Sequence, residues 1–296
     1  MTESGYSLSV FGLGVRGIIQ AMNKPVLPLI LIRGGGDLAS GVALRLFHSG
    51  FGVVISEIAA PLTVRRFASF AEAVFEGEWQ VEGVKGAVCS TVEEILETVN
   101  NGRIAVKVDP TAECSHQVPF SAVVDGRMLK SPKSDSLYPE FFTLGLGPGF
   151  QVGLNCNAVI ETNRGPYLGR VYWHGSAQPD TGEPETVGPY GSDRVLRAPQ
   201  AGTFTSKHEI GEIVEAGEII GRIADTSIMA PFKGVLRGLL RSGTPVQPGL
   251  KIGDIDPRCD VSLCSLASDK SLAVGGGVLE ALLSRSESWQ ALKGDV

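Results

Sequence analysis

The sequence of 296 residues predicts an α/β protein with two structural units, an N-terminal unit around a parallel sheet and a β-rich C-terminal unit. Two patterns predict this class. Strand-like apolar segments alternate with helical segments in the first half, and one pattern of 32 residues occurs twice in the second half. The composition agrees, because 38 glycines and 17 prolines favour tight turns and short strands over a helix bundle.

Charge and cysteine content exclude several classes of protein. The chain has 26 basic and 32 acidic side chains, so its net charge of −6 gives no electrostatic indication of nucleic-acid binding. Its five cysteines include no C-x-x-C pair, which favours a reducing cytoplasm over a disulfide framework. The apolar stretch over 8–19 is too short to span a bilayer, and we expect no membrane association. We interpret residues 1–24 as an N-terminal extension.

The first organised segment predicts a strand, a glycine turn, a helix and a second strand. The apolar run over 26–33 is typical of a strand buried on both faces, and Gly34–Gly36 follow it directly. Residues 37–48 place their apolar side chains on one helical face, and the strand over 51–56 leads to Glu57. We therefore predict a Rossmann-like nucleotide-binding domain with its connecting region over residues 25–193.

The glycine turn has the spacing of a dinucleotide site. Gly34, Gly36 and Ala39 form G-x-G-x-x-A at the start of the helix, and Glu57 lies 21 residues after Gly36. Glycines allow a pyrophosphate to approach the helix N-terminus, and a carboxylate can accept from ribose hydroxyls. Gly35 belongs to the same loop. The alternative is that the glycines only make the turn.

Charged residues near this loop complete the candidate site. Asp37 would repel a pyrophosphate unless it caps the helix, faces away or shares a cation with the ligand. Arg65 and Arg66 follow the second strand, and paired guanidinium groups suit phosphate or carboxylate recognition. Surface solvation is the alternative for both. The candidate binding residues are thus Gly34, Gly35, Gly36, Asp37, Ala39, Glu57, Arg65 and Arg66.

The C-terminal half contains the repeat. Residues 198–223 and 230–255 both begin with A-P-x-x-G and both end with V-x-x-G-x-x-x-G-x-I, in register at a spacing of 32. We predict two units of short strands packed face to face about a pseudo-twofold axis, over 194–258.

The repeat resembles the biotinyl/lipoyl barrel-sandwich hybrid, whose half-motifs carry the same elements. In those carriers a lysine stands on the hairpin that joins the halves. Here the joining segment over 224–228 is ADTSI, which has no lysine. The resemblance therefore implies a carrier-like fold used as a scaffold or docking surface.

The last segment, residues 259–296, is predicted to be helical. It contains Gly275–Gly277, and three glycines cost a continuous helix roughly 2–3 kcal/mol relative to alanine. We therefore predict a break in the helix at this run.

Several segments in order resemble one family over about residues 29–283. They are RGGGDLASGVALRL, FAEAVFEGE, LGLGPGF, AVIETNRG, RVLRAP, KIGDIDPR and SDKSLAVGGGVLEAL. They are similar to the selenium-dependent molybdenum hydroxylase system proteins of the YqeB type. The resemblance implies an accessory or maturation role, with a molybdenum hydroxylase or its maturation machinery as partner. It leaves the ligand unknown, with a nucleotide or a molybdopterin dinucleotide as candidates.

The sequence leaves the chemistry open. Cys156 is the candidate thiol for carrying a persulfide or selenium, but an isolated cysteine before an apolar run is more often a small buried hydrophobe. Asn157 stands where the family resemblance leads us to expect histidine. No metal site is predicted. The alternatives are an NAD(P)-dependent oxidoreductase of a small metabolite and a non-catalytic scaffold, and a homo-oligomer stays open.

Overall fold

A computed structural model describes residues 28–180, 182 and 190–284. The predicted extension over 1–24 lies outside these residues. The first unit is one sheet, whose strands are β1 (Leu29–Arg33), β2 (Gly52–Glu57), β3 (Glu78–Val81), β4 (Val84–Val88), β5 (Ile104–Val108), β6 (Ala122–Asp125), β7 (Thr143–Leu146), β8 (Ala158–Ile160) and β9 (Val171–Tyr172).

The described strands of this sheet lie in the order β3-β4-β5-β2-β1-β6-β7-β8-β9. The inner strands are parallel, and each edge strand pairs antiparallel with its neighbour. β1 lies between β2 and β6, with Arg33 opposite Ser56 on one side and Asp125 on the other. After β1, the chain first adds β2 on one side and later adds β6 on the other side. The strand order therefore changes direction at β1.

The α-helices of the described residues accompany this sheet. They are α1 (Asp37–His48), α2 (Ala73–Glu76), α3 (Val92–Asn100) and α4 (Asp269–Leu283). α1 connects β1 to β2 as the apolar periodicity predicts, and α3 begins where the Thr91 hydroxyl accepts from the Glu94 N–H. α4 comes from the end of the described chain and packs on β7, β8 and β9.

The predicted Rossmann-like class of the first unit is corrected by this arrangement. Residues 109–157, all of which the structure describes, contain one short 3-10 helix at Glu113–His116 and no α-helix. Helices therefore do not alternate with strands through the second half of the sheet, and α4 covers that half instead. The segment made of β1, the glycine turn, α1 and β2 is a local unit. A local unit does not determine the fold class of the whole sheet.

The second unit consists, in its described residues, of two antiparallel sheets. Its strands are β10 (Val195–Arg197), β11 (Gly202–Thr205), β12 (Ile213–Val214), β13 (Ile219–Ile223), β14 (Thr226–Met229), β15 (Gly234–Leu239), β16 (Thr244–Val246) and β17 (Lys251–Asp256). The sheets have the orders β10-β17-β15-β12 and β14-β13-β11-β16. β11 and β15 begin at equivalent positions of the two repeat copies, as do β13 and β17, and each sheet takes strands from both copies.

The predicted biotinyl/lipoyl-like barrel-sandwich class of this unit is also corrected. The hydrophobic core of the two sheets includes Val64, which comes from the loop after β2 in the first unit. The Leu239 N–H donates to the Val64 carbonyl at 2.8 Å, so this loop also bonds to β15. The repeat is completed by the first unit and is not a self-contained carrier module. The predicted domain boundaries at 193/194 and 258/259 stay predictions.

The predicted break at Gly275–Gly277 is wrong, because α4 is continuous from Asp269 to Leu283. Its glycines permit close packing. A Cβ at Gly275 would lie 2.8 Å from the Arg45 side chain on α1, and one at Gly277 would overlap the carbonyl oxygen of Gly169. Tertiary contact therefore offsets the low helix propensity of the run.

Candidate functional site

A cleft of about 730 Å³ opens at the carboxyl edge of β1, β2 and β6. It lies at the position where the chain changes direction in the sheet, which is the usual place for ligands in open α/β sheets. Leu250 and Lys251 of the repeat form part of its wall, so the cleft lies between the two units. Six of the predicted residues line it, namely Gly34, Gly36, Asp37, Ala39, Glu57 and Arg65.

Glu57 holds the glycine loop in place. Its Oε2 accepts from the Gly35 N–H at 2.7 Å, and its Oε1 accepts from the Ile58 N–H at 2.7 Å. Gly35 itself is buried, because the backbone of Ala71 and the side chain of Ile55 lie against it. A carboxylate has about four acceptor positions, so Glu57 can also accept from a ligand hydroxyl.

The N-terminus of α1 faces the cleft without a side-chain cap. Gly36 is the N-cap residue, and no described side chain makes a capping hydrogen bond there. A Cβ at Gly36 would have no heavy atom within 4 Å, which means that the space beside the first helical turn is open. Uncapped N–H groups at a helix start carry partial positive charge and bind anions.

Arg65 and Arg66 point to different partners. Arg65 is buried and donates to Asp37 Oδ1 at 3.0 Å and to the carbonyls of Leu263 and Leu266. This pairing resolves the predicted conflict, since the Asp37 charge is neutralised by a guanidinium group of the protein.

Arg66 does not line the cleft. Its Nε donates to the Leu239 carbonyl at 2.8 Å, and its other nitrogens pair with Glu72 and Glu209. It therefore joins the first unit to the repeat, and its charge is used inside the protein.

Basic side chains outnumber acidic ones in the lining of the cleft. Among the described residues that line it, five are basic and two acidic, whereas the chain has a net charge of −6. The basic residues are Arg65, Arg127, Lys133, Lys251 and Lys270. The charge balance of the lining therefore favours an anionic ligand.

Lys251 projects into the cleft from the start of β17. Burial lowers the pKa of its ammonium group, and the charge of Asp254, 3.8 Å away, opposes that shift. Its counterpart in the first copy of the repeat is Ile219. The lysine thus interrupts the repeat at the position that faces the first unit.

A network of charges lies beneath the cleft at the ends of β1 and β6. Arg127 donates from Nε and a terminal nitrogen to both Asp125 oxygens, at 2.9 and 2.6 Å. Arg33 is 3.5 Å from Asp125, and both guanidinium groups also pair with Asp135. Burial lowers the pKa of Arg33, and the two carboxylates oppose that shift. The network fixes Arg127 at the edge of the cleft.

Cys156 lies outside the cleft and is fully buried in a small apolar cluster with Phe150 and Val159. Burial raises the pKa of its thiol to about 12. A thiolate is the nucleophilic form of cysteine, so this environment favours the structural interpretation of Cys156 over a catalytic one.

Four basic residues of the cleft were not nominated from the sequence, namely Arg127, Lys133, Lys251 and Lys270. The sequence does mark Lys251, because it stands in the second copy of the repeat where the first copy has the apolar residue Ile219. Arg127, Lys133 and Lys270 stand in loops or at a helix start far from the glycine turn in sequence, and only the fold brings them to it.

The part of the chain that the structure describes contains neither a cluster of metal-binding side chains nor a membrane-spanning helix. No three of its His, Cys, Asp or Glu side chains are grouped so that they could hold a metal ion. Among the same described residues, no helix is both long enough and apolar enough to cross a membrane.

Sequence comparison identifies a relative of this chain. The chain is 44% identical over 266 residues to the uncharacterized protein YqeB of Escherichia coli, and the match covers 88% of this chain and 49% of that protein. The chain thus spans about half the length of this relative. The similarity to YqeB seen in the sequence motifs is confirmed. No protein-family model matches the chain.

Three solved structures have a distant likeness to the fold. An aspartoacylase family protein from Mesorhizobium loti covers 79% of this chain at 15% identity and a TM-score of 0.25. The ectoine utilization protein EutE from Ruegeria pomeroyi covers 76% at 11% identity and a TM-score of 0.22. A succinylglutamate desuccinylase/aspartoacylase from Rhodobacter sphaeroides covers 27% at 23% identity and a TM-score of 0.20.

The similarity to YqeB does not extend to the predicted link with selenium or molybdenum, because that relative is an uncharacterized protein.

Proposed function

We propose that this relative of YqeB binds a phosphate-bearing small molecule, of the nucleotide class, in the cleft between its two units. The observation that carries the proposal is the position of an uncapped helix N-terminus in a cleft lined by more basic than acidic side chains, at the point where the sheet changes direction. A phosphate is bound by nearby cations and by N–H donors that can approach closely. The first turn of α1 supplies the donors, and the basic side chains of the lining supply the cations.

The contributions of individual residues follow from their contacts. The open space at Gly36 admits a phosphate to the first turn of α1. Lys251, on the wall contributed by the repeat, supplies a cation from the second unit. Glu57 holds the Gly35 backbone and has acceptor positions left for a ribose hydroxyl. The ligand would therefore contact both units.

Replacement of Gly36 by valine tests this function. The new side chain meets no atom within 4 Å at its Cβ, so the protein is expected to fold, but the branched group occupies the approach to the helix N-terminus. Isothermal titration calorimetry with ATP, CTP, NAD and inorganic pyrophosphate should detect binding to the wild-type protein and none to Gly36→Val. Thermal unfolding provides a second readout, since saturation at 100 times Kd stabilises the folded state by about 2.7 kcal/mol.

A pair of lysine variants provides the matched control. Lys251→Met should weaken binding by roughly 10-fold or more, the effect of removing one charge-assisted hydrogen bond. Lys207→Met removes an exposed lysine that does not line this cleft and should leave the affinity unchanged. Wild-type protein that binds none of the four probes would contradict the proposal and favour the scaffold alternative.

The oxidoreductase alternative predicts a different result. An NAD(P)-dependent enzyme would bind NAD(P) in preference to the other probes and would change NAD(P)H absorbance continuously with a small carbonyl compound. Binding of ATP or CTP without such turnover would favour a ligand-binding accessory factor.

The biological context is a separate proposal, and the resemblance of the sequence motifs alone supports it. They are similar to the YqeB-type proteins of the selenium-dependent molybdenum hydroxylase system, which implies an accessory or maturation role in the cytoplasm. Deletion of the gene should then leave such a hydroxylase present but inactive. The test is to purify the hydroxylase from deletion and parent strains and to measure its activity, molybdenum and selenium. Equal values in the two preparations would refute this role.

A further inference from the structure

A second compartment of about 210 Å³ adjoins the cleft on the side of β7 and β8. Met128 and Lys270 line both the cleft and this compartment, so the two spaces meet at these residues. Lys270 lies in the first turn of α4, beside Asp269, which pairs with Arg164 in the loop after β8. The junction is thus built from two separate parts of the chain.

The two compartments differ in their chemistry. The cleft is lined by basic side chains, whereas the polar groups of the second compartment include the neutral side chains of Thr162, Asn163 and Gln178. Lys130 and Asp180 also line it, but they pair with each other at 2.8 Å. Its volume is below the roughly 300–1,000 Å³ of a pocket for a whole drug-sized ligand. It suits one uncharged ring system.

A buried carboxylate anchors the backbone at Asn163 and at Gln178. Glu161 is fully buried, and its oxygens accept from the backbone N–H groups of Asn163 and Gln178 at 2.7 and 2.8 Å. The Asn163 amide donates from Nδ2 to Gln178 Oε1 at 3.0 Å. This bond does not use Asn163 Oδ1, an acceptor, or Gln178 Nε2, a donor. Asn163 Oδ1 and Gln178 Nε2 therefore give the pair one further acceptor and one further donor, and a ring that carries both a donor and an acceptor can bond to them.

We infer that the ligand has two parts and that its uncharged, amide-bearing ring, of the nucleobase or carboxamide type, binds in this compartment against the side chains of Asn163 and Gln178. This inference rests on the proposed function, in which the phosphates of the same molecule lie at Gly36. Lys270 then contacts the ligand where its ring and its phosphates join. The second compartment is the part of the site that selects one nucleotide over another.

Calorimetry with Gln178→Leu tests the inference. The probes are ATP, GTP, CTP, NAD and inorganic pyrophosphate, and Gln80→Leu on edge strand β3 is the control. Wild-type protein should bind at least one ring-bearing probe tenfold or more tightly than pyrophosphate. Gln178→Leu should reduce that affinity tenfold or more and leave the pyrophosphate affinity unchanged, and Gln80→Leu should change neither.

The failures of the two proposals are distinguishable. If pyrophosphate binds but no ring-bearing probe binds more tightly, or if Gln178→Leu leaves the preference intact, the two-part ligand is refuted and the proposed function stands. If pyrophosphate and every other probe fail to bind wild-type protein, both proposals fall together. Gln178→Glu provides a second measurement, because exchange of a donor for an acceptor should change which ring is preferred.

Discussion

The chain contains two identical runs of three glycines that form different structures. Gly34–Gly36 make the turn between β1 and α1 at the cleft, and Gly275–Gly277 lie inside the continuous helix α4. In each run one glycine lies in open space, Gly36 in the first and Gly276 in the second, and at least one is packed tightly. The same tripeptide therefore makes a turn with an open helix start in one place and allows close helix packing in the other.

The difference lies in what surrounds each run. The turn at Gly34 requires a positive φ of 88°, and the N–H of Gly35 is taken by Glu57. The run in α4 has ordinary helical geometry, but α1 lies so close to Gly275, and the turn at Gly169 so close to Gly277, that a side chain does not fit at either position. Glycine is used for its conformation in the first run and for its small volume in the second.

Gly277→Ala should have the largest effect of the substitutions that test this comparison. The new Cβ would overlap the carbonyl oxygen of Gly169 and lie 2.9 Å from Ile160. Because backbone must move, we expect the free energy of unfolding in urea to fall by about 3 kcal/mol. A loss no larger than that of an ordinary surface substitution, below about 0.5 kcal/mol, would show that the helix does not pack in this way.

Gly34→Ala should have the next largest effect, from the backbone alone. Its Cβ would meet Arg127 at an ordinary 3.6 Å, so the cost of about 1–2 kcal/mol comes from the positive φ. Gly36→Ala is the matched control, since Gly36 has a φ of −68° and open space, and its stability should stay within about 0.5 kcal/mol of wild type. Equal losses for both variants in urea unfolding would contradict the assignment.

Gly276→Ala should have the smallest effect, and with the opposite sign. Gly276 is exposed, and a Cβ there meets nothing within 4 Å, so only helix propensity changes. We expect a gain of up to about 1 kcal/mol in urea unfolding. A loss of stability would mean that α4 is interrupted at this run, as the sequence alone predicts.

Part of the candidate site could be predicted from the sequence because it is local. The glycine turn, α1 and Glu57 lie in the single continuous stretch 34–57, and their spacing reflects one supersecondary unit. Arg65 was found for the same reason. Lys270 was not found, since it enters the cleft from α4, at the other end of the described chain. The repeat marks Lys251 as a departure from its counterpart Ile219, but only the fold brings it to the cleft. Arg66, although adjacent to Arg65, faces the repeat and shows that neighbours in sequence can serve different partners.

The sequence by itself determined the two units, the regular spacing of the repeated strands and the turn at Gly34. Each of these features depends on residues close together in the chain, through the spacing of apolar residues or the positive φ that glycine permits. Only the tertiary structure decided the class of the sheet, the sharing of Val64 with the repeat and the continuity of α4 through Gly275–Gly277. These features depend on contacts between segments distant in the chain. The close packing of α4 on α1 and on the turn at Gly169 outweighs the helix propensity of three glycines.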